Sequence, residues 1–130
     1  MTRSVCRHVL LVAFSLVFAL LASGQRVVTV GPPPEIRSHI DALVKVLNSG
    51  NSEEWEKMAR EHFSVGALKR RSDEERKQVF DNVRRDFGTV ALGWVEGPDE
   101  PLRLHFKGSS GASGVIELNL ERDVPYRIDY

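Results

Sequence analysis

The hydrophobic period changes once along this chain, at Gly88, and that change limits the possible folds more than any other feature. Before Gly88, apolar residues recur every three to four positions, which is typical of one face of an α-helix. After Gly88, apolar residues alternate with charged ones, which is typical of strands with a single buried face. A run of helices followed by a run of strands predicts an α+β domain in two layers.

Three amphipathic helices are predicted in the first part. The first has its apolar stripe between Ile36 and Leu47, and Gly50 is predicted to end it. The second opens at Asn51 or Ser52, and Glu54 lies three residues after Asn51, as a capping box requires. The third opens at Ser72, again with a glutamate three residues later. These helices are predicted to pack on one face of an antiparallel sheet of about four strands.

The four predicted strands have one apolar and one charged face. Val90, Leu92 and Trp94 are predicted to face the helices, as are the apolar residues of the other strands. The outer face is predicted to be solvated or to face a partner, with Arg103, His105 and Lys107 on one strand and Glu117 and Glu121 on the next. The strands are TVALGWVE (89–96), PLRLHFK (101–107), VIELNLER (115–122) and YRIDY (126–130).

Two polar segments are predicted to be irregular. SVGALKRR (64–71) is interpreted as a break between helices, where Arg70 and Arg71 are candidate anion ligands. GSSGASG (108–114) is interpreted as a hairpin loop. It lacks the terminal Gly-Lys-Ser/Thr of a phosphate-binding loop. Its serines also lack the spacing of a nucleophile elbow.

The N-terminal residues 1–24 are predicted to be a signal peptide. A short cationic start precedes the apolar run VLLVAFSLVFALLA, and small residues follow it, so cleavage is expected near Gly24. The run is shorter than the ~20 residues of a membrane-spanning helix, although an uncleaved anchor is the alternative. Residues 25–34 are then a proline-rich linker and 35–130 a single domain, exported to the periplasm or outside the cell.

Charge and cysteine content limit the function classes. Without the predicted leader, 16 Lys and Arg remain against 18 Asp and Glu, which does not favour nucleic-acid binding. The single cysteine, Cys6, leaves with the leader, so neither a disulfide nor thiol chemistry is expected. His39, near Glu35 and Asp41, is expected on an exposed helix start. No metal site is predicted, because a second histidine at ligand spacing is lacking. No cofactor is expected.

One histidine, His62, is a candidate catalytic residue. His62 lies on the same face of the second helix as Trp55 and Met58, so it is predicted to point into the helix–sheet interface. There it could act as a base with Asp86 or Tyr126 as its partner, or be an ordinary histidine at the edge of the core. The candidates for the lining of a ligand pocket are Trp55, Met58, His62, Trp94 and Tyr126.

The order of elements over residues 35–130 resembles the nuclear-transport-factor-two-like, or ketosteroid-isomerase-like, superfamily (SnoaL-like, cystatin-like α+β). The resemblance implies that the antiparallel sheet is curved and that the three helices pack into its hollow. The segment LVKVLNSGNSEEWEKMAREHFS (43–64) carries the local part of the resemblance. It is similar to modules of exported bacterial proteins that are sometimes attached to serine hydrolases of β-lactamase type. Members of the superfamily have longer terminal strands, whereas this sequence stops at Tyr130 inside a predicted strand, so either the final strand is short or the sequence is part of a longer polypeptide. No catalytic residue matches the superfamily position by position.

These observations favour an exported, non-catalytic α+β module. We expect it to bind a protein partner, or a small apolar ligand between helices and sheet, or to form a homodimer through the charged sheet face. No nucleic acid and no stable membrane anchor are expected. Two alternatives are a small isomerase- or hydrolase-like enzyme that uses His62, and the N-terminal accessory part of a longer serine hydrolase.

Overall fold

The computed structural model describes residues 31–97 and 101–129, so the predicted signal peptide and most of the predicted linker lie outside the described residues. The predicted α+β class is confirmed, but with four helices and a three-stranded antiparallel sheet, in the order β1-β2-β3. The elements are α1 Pro34–Ser49, α2 Ser52–His62, α3 Val65–Arg70, α4 Asp73–Phe87, β1 Val90–Glu96, β2 Leu102–Gly108 and β3 Ser113–Leu118.

The helix boundaries follow the predicted capping signals. Gly50, with φ of 70°, ends α1 in the left-handed conformation that suits glycine. The Asn51 side chain accepts hydrogen bonds from two backbone N–H groups of the first turn of α2. The capping box at Ser72 is complete, because the Glu75 side chain accepts from the Ser72 N–H at 2.7 Å. Local sequence therefore sets where these helices start and stop.

The segment 64–71 was predicted as a break, and that prediction is wrong. It forms the short helix α3, because the Ser64 Oγ accepts a hydrogen bond from the Ala67 N–H at 2.9 Å and caps the first turn. Ala67 is fully buried, so the turn also packs against the core. The described chain consequently has four helices where three were expected.

One hydrophobic core joins the helices and the inner face of the sheet. Trp55 of α2 stacks on Phe80 of α4, with ring centroids 5.4 Å apart. Phe87 of α4 meets Phe106 of β2 edge to face at 4.9 Å. The remaining buried apolar side chains are Ile40, Leu43, Val46, Leu47, Met58, Ala59, Phe63, Ala67, Val90, Leu102, Leu104, Leu118, Leu120 and Ile128.

Strand β1 does not keep the predicted alternation. Its register against β2 shifts between Leu92 and Trp94, so Gly93 is an extra residue on β1. Leu92 pairs with Phe106 on the inner side, whereas Trp94 pairs with His105 on the outer side. The prediction that Trp94 faces the helices is therefore wrong, because one inserted residue reverses the side of every residue that follows.

The predicted fourth strand is not a strand of the sheet. Tyr126 has a φ of 54°, a left-handed conformation that interrupts an extended chain. Among residues 126–129, only Ile128 makes bridges, one with Leu120 and one with Phe63. Its N–H donates to the His62 carbonyl at 2.9 Å, and its own carbonyl accepts from the Ser64 N–H at 2.8 Å. The tail thus joins the helices to the end of β3.

Within residues 31–97 and 101–129, none of the helices has the length and apolar composition needed to cross a membrane.

Candidate functional site

The outer face of the sheet carries an exposed row of three side chains, one from each strand. Trp94, His105 and Val115 are aligned by the strand register, and we call them the aromatic row. The Trp94 and His105 rings stack with centroids 4.2 Å apart and an angle of 12°. Trp94 is nevertheless 62% exposed and Val115 50% exposed. The face therefore presents a large apolar surface to solvent in a fixed orientation.

A charged row lies on one side of the aromatic row. The Arg103 guanidinium donates to the Glu117 carboxylate at 2.9 Å across β2 and β3. His105 Nε2 donates to the Glu96 carboxylate at 2.8 Å. The predicted pairing of opposite charges on facing strands is thus found between Arg103 and Glu117. These bonds hold the charged side chains beside the apolar strip.

Beyond the other side of the row lies a groove of about 440 Å³. Trp94, His105 and Val115 form one wall, and Lys107 and Ser113, which pair across β2 and β3, form the other. An apolar strip with a rim of charged and polar groups is the composition typical of protein interfaces, in which tryptophan is enriched. The geometry suits recognition of another surface.

The predicted catalytic candidate His62 has a histidine, not an acid, as its hydrogen-bond partner. Its Nδ1 lies 2.8 Å from Nδ1 of His39, and the rings meet edge to face. His39 was expected on an exposed helix start but is only 6% exposed, so that expectation is wrong. Asp86, one suggested partner, instead pairs with the neighbouring Arg85 at 2.9 Å.

The hydrogen bonds fix the tautomers of this histidine pair. Nε2 of His39 lies 2.7 Å from the Pro125 carbonyl, which can only accept, so this nitrogen carries the proton. When His39 is neutral, its Nδ1 is therefore an acceptor, and the Nδ1–H of His62 donates to it. Neutral His62 then keeps a free lone pair on Nε2, the nitrogen that a base or a metal ligand would use.

The surroundings of His62 disfavour its charged form. Desolvation, followed by repulsion from His39, lowers the pKa of His62 below its usual range, although Glu61 acts in the opposite direction. His62 lines a shallow groove of about 360 Å³ between α1 and α2, together with residues such as Lys45, Lys57 and Glu61. This arrangement favours a neutral imidazole at a charged surface.

The other predicted pocket residues do not line a common hollow. Trp55 and Met58 are 4% and 6% exposed and belong to the core. The Trp55 indole N–H is buried and, within the described residues, has no hydrogen-bond acceptor. Tyr126 is half-buried and packs against the core from the tail. The structure brings Met58 and His62 to one groove and places Trp94 on the outer face of the sheet.

Arg76 of α4 is a buried arginine whose burial was not predicted from the sequence. The Arg76 side chain is 4% exposed and donates to Glu56 at 2.5 Å, to Asp73, and to the carbonyls of Leu68 and Arg71. The hydrogen bond from Arg76 is the main cause that lowers the pKa of Glu56. The sequence contains one indication that Arg76 is buried, because residue 76 lies one helical turn before Phe80 and on the same face of α4.

The proposed anion ligands have other partners. Arg70 forms an ion pair with Asp129, whose carboxylate also accepts from Ser64 Oγ at 2.6 Å. The Ser64 hydrogen bond is the main cause that lowers the pKa of Asp129. Together these contacts attach the tail to α3. In the part of the chain that the structure describes, no three histidine, cysteine or acidic side chains converge as a metal site would require.

Comparison of the chain with protein-family models, with curated proteins and with solved structures found no match.

Proposed function

We propose that this chain is an exported, non-catalytic binding module that docks a protein partner on the outer face of its sheet. The observation that carries the proposal is the aromatic row, in which Trp94 is 62% exposed although its ring is stacked on His105. Export rests on the predicted signal peptide, and the relation to the ketosteroid-isomerase-like superfamily rests on the order of elements and the segment 43–64.

A stacked and exposed tryptophan suits a binding surface for an energetic reason. Burial of an exposed Trp94 side chain by a partner would remove much apolar area from water, at roughly 25 cal/mol per Å². The ring is already held by His105, so little side-chain entropy would be lost on binding. The paired charges of Arg103 and Glu117 beside it would contribute orientation and selectivity.

The packing between helices and sheet favours a protein partner on the outer face over a small apolar ligand in the interior. The interface that a small ligand would occupy contains packed side chains, including the stacked pair of Trp55 and Phe80 and the edge-to-face pair of Phe87 and Phe106. The enzyme hypothesis based on His62 receives less support, because the hydrogen-bond partner of its ring is the His39 imidazole.

Site-specific photocrosslinking in the producing cell tests the proposal. A photoreactive amino acid is placed at Val115 in one variant and, as a matched control, at Lys77 on the exposed side of α4. The expected product from position 115 has one discrete mass, heavier than two copies of this chain, so it contains a different protein. No such product is expected from position 77. Trp94→Ala should reduce that product strongly. Equal products from both positions, or none from position 115, would contradict the proposal.

A further inference from the structure

The two edges of the sheet differ in how well they are protected. On the β1 edge, the Asn48 side chain makes the hydrogen bonds to Val90 that a neighbouring strand would make. Its Nδ2 donates to the Val90 carbonyl at 2.9 Å, and its Oδ1 accepts from the Val90 N–H at 2.7 Å. The bulge at Gly93 further disturbs this edge. The β3 edge has neither device, and an open, regular edge is a template for pairing with another strand.

The register shows which backbone groups of β3 point outward. The Gly108 N–H donates to the Ala112 carbonyl at 2.8 Å, and hydrogen-bonded pairs alternate along an antiparallel ladder. Even-numbered residues of β3 therefore bond to β2, and odd-numbered ones point away. Asn119 confirms this parity, because its carbonyl accepts from the Asp129 N–H on the outer side at 2.7 Å.

Among the described residues, no strand lies beside the outward groups of β3. Ser113, Val115 and Glu117 direct their N–H and C=O groups to the side away from β2. Within residues 31–97 and 101–129, no backbone hydrogen bond is made on that side before Asn119. Three consecutive outward positions are enough for an antiparallel pairing with a short strand.

We infer that this edge binds a second copy of the chain, β3 against β3, around a two-fold axis at Val115. The register is self-complementary: Val115 meets Val115 of the second copy, and Ser113 meets Glu117 of the second copy. Each of these residues has its backbone N–H and C=O groups pointing outward. In this register the outward groups of one copy therefore lie opposite the outward groups of the other. A register with Val115 opposite an even-numbered residue would leave the outward groups unmatched.

The side chains of the outer face agree with this register. Glu117 would lie opposite Ser113 of the second copy, and Ser113 is itself paired with Lys107 across β2 and β3. Each Glu117 is thus brought near a lysine and away from the other Glu117. The two aromatic rows would also become one continuous strip, because each row ends at Val115 on the β3 edge. Charge and apolar surface therefore both favour a second copy as the occupant.

The inference is tested first by the mass of the protein in solution, from sedimentation equilibrium across a concentration series. The expected result is a monomer–dimer equilibrium. Val115→Pro removes the outward N–H at the two-fold axis and should give a monomer with an unchanged circular dichroism spectrum. Val115→Thr keeps the N–H and the β-branched shape and should remain dimeric. A monomer at every concentration, or a dimer that survives in folded Val115→Pro protein, would overturn the inference.

A charge pair at one position gives a second test that does not depend on proline. Ser113→Glu places like charges opposite each other twice in the dimer, and Ser113→Lys places opposite charges there. The dissociation constant should rise with Glu and fall with Lys, by about two- to thirty-fold each, at the energies of cross-strand charge pairs. Shifts of both variants in the same direction would exclude this register.

The same variants have the reverse effect inside one chain. Ser113 is paired with Lys107, so Ser113→Glu adds an attraction within the monomer and Ser113→Lys adds a repulsion. Ser113→Glu should therefore raise monomer stability and weaken the dimer, and Ser113→Lys should do the reverse. Such opposite changes would show that the change in dimer affinity is not caused by a change in folding. Docking on the outer face and the dimer share Val115, so the mass of the crosslinked product separates them. A photoreactive residue at Val115 should give a product of twice the chain from the dimer and a product heavier than twice the chain from a different protein, and either product can be lost without the other.

Discussion

The arginine–glutamate pair of Arg76 and Glu56 at the helix junction differs from the pair of Arg103 and Glu117 on the outer face of the sheet. Arg76 and Glu56 have side chains 4% and 20% exposed, whereas Arg103 and Glu117 are 49% and 55% exposed. The chemical groups are the same and both pairs are hydrogen-bonded. Only their access to water differs.

The difference in solvent access determines how much each ion pair contributes to the stability of the fold. At the junction, Arg76 donates to Glu56 of α2, to Asp73 of α4 and to two carbonyls near α3. Its removal takes a donor from both carbonyls and leaves Glu56 with its more exposed partner Arg60. On the sheet, water can replace either partner, and an exposed pair contributes ~0–1 kcal/mol. The two tryptophans differ in the same way, since Trp55 is 4% and Trp94 62% exposed. One region stabilises the fold and the other presents a surface.

The largest expected effect is the loss of the buried arginine. Arg76→Ala should lower the free energy of unfolding by ~3–5 kcal/mol, because Glu56 is left without its main partner in a partly buried position. Denaturant unfolding followed by circular dichroism measures it. Arg85→Ala, on the exposed side of the same helix, is the control and should cost less than ~0.5 kcal/mol. A loss of less than ~1 kcal/mol for Arg76→Ala would show that the junction behaves like the surface.

The two tryptophans give the second test of the contrast. Trp55→Ala should cost ~3–5 kcal/mol, because it leaves a cavity beside Phe63 and Phe80. Trp94→Ala should change the free energy of unfolding by less than ~1 kcal/mol, since it removes only an exposed ring stacked on His105. Thermal or denaturant unfolding of both variants measures the difference. Equal losses in the free energy of unfolding for the two variants would mean that Trp94 stabilises the fold as much as Trp55 does.

The third effect depends on pH and concerns His62. Its pKa is lowered in the folded protein below the reference value of 6.5, so the unfolded chain binds protons that the folded chain does not. The free energy of unfolding should therefore decrease as the pH falls below 6.5 towards the pKa of the folded state. Unfolding titrations over this range should show a smaller decrease in His62→Gln. His105→Gln is the control and should keep the full decrease, because it leaves the His39–His62 contact unchanged. An unchanged decrease in His62→Gln would assign it to other groups.

The smallest expected effect is at the exposed charge pair. Arg103→Ala should cost between ~0 and 1 kcal/mol, and less at high salt, because solvent screens the pair. Equilibrium unfolding at low and high ionic strength measures this. A cost comparable to that of Arg76→Ala would remove the distinction between the two regions.

Local sequence predicted the parts of the fold that depend on neighbouring residues. The caps at Asn51 and Ser72 and the stop at Gly50 were recognisable because each is made by side chains or φ angles within a few residues. The alternation of β2 also gave the correct faces, with Leu104 buried and Arg103 exposed. The α3 turn was missed because Ser64 was interpreted as part of a loop rather than as a cap.

The candidate site was predicted less well, because its residues come from distant parts of the chain. His62 was recognised, but its contact with His39 joins two helices and ends at the Pro125 carbonyl in the tail. Trp94 was recognised and placed on the wrong side, because the alternation gives no sign of an extra residue at Gly93. Pairing with β2 reveals the shift.

The sequence by itself determined the α+β class, the main helix boundaries and the charged character of the outer sheet face, because these follow from hydrophobic period and local caps. Only the tertiary structure decided which arginine is buried, which tryptophan is exposed and which histidine contacts His62. Each depends on the surfaces that meet when elements far apart in sequence pack together. Burial and strand register belong to those contacts and not to any single segment.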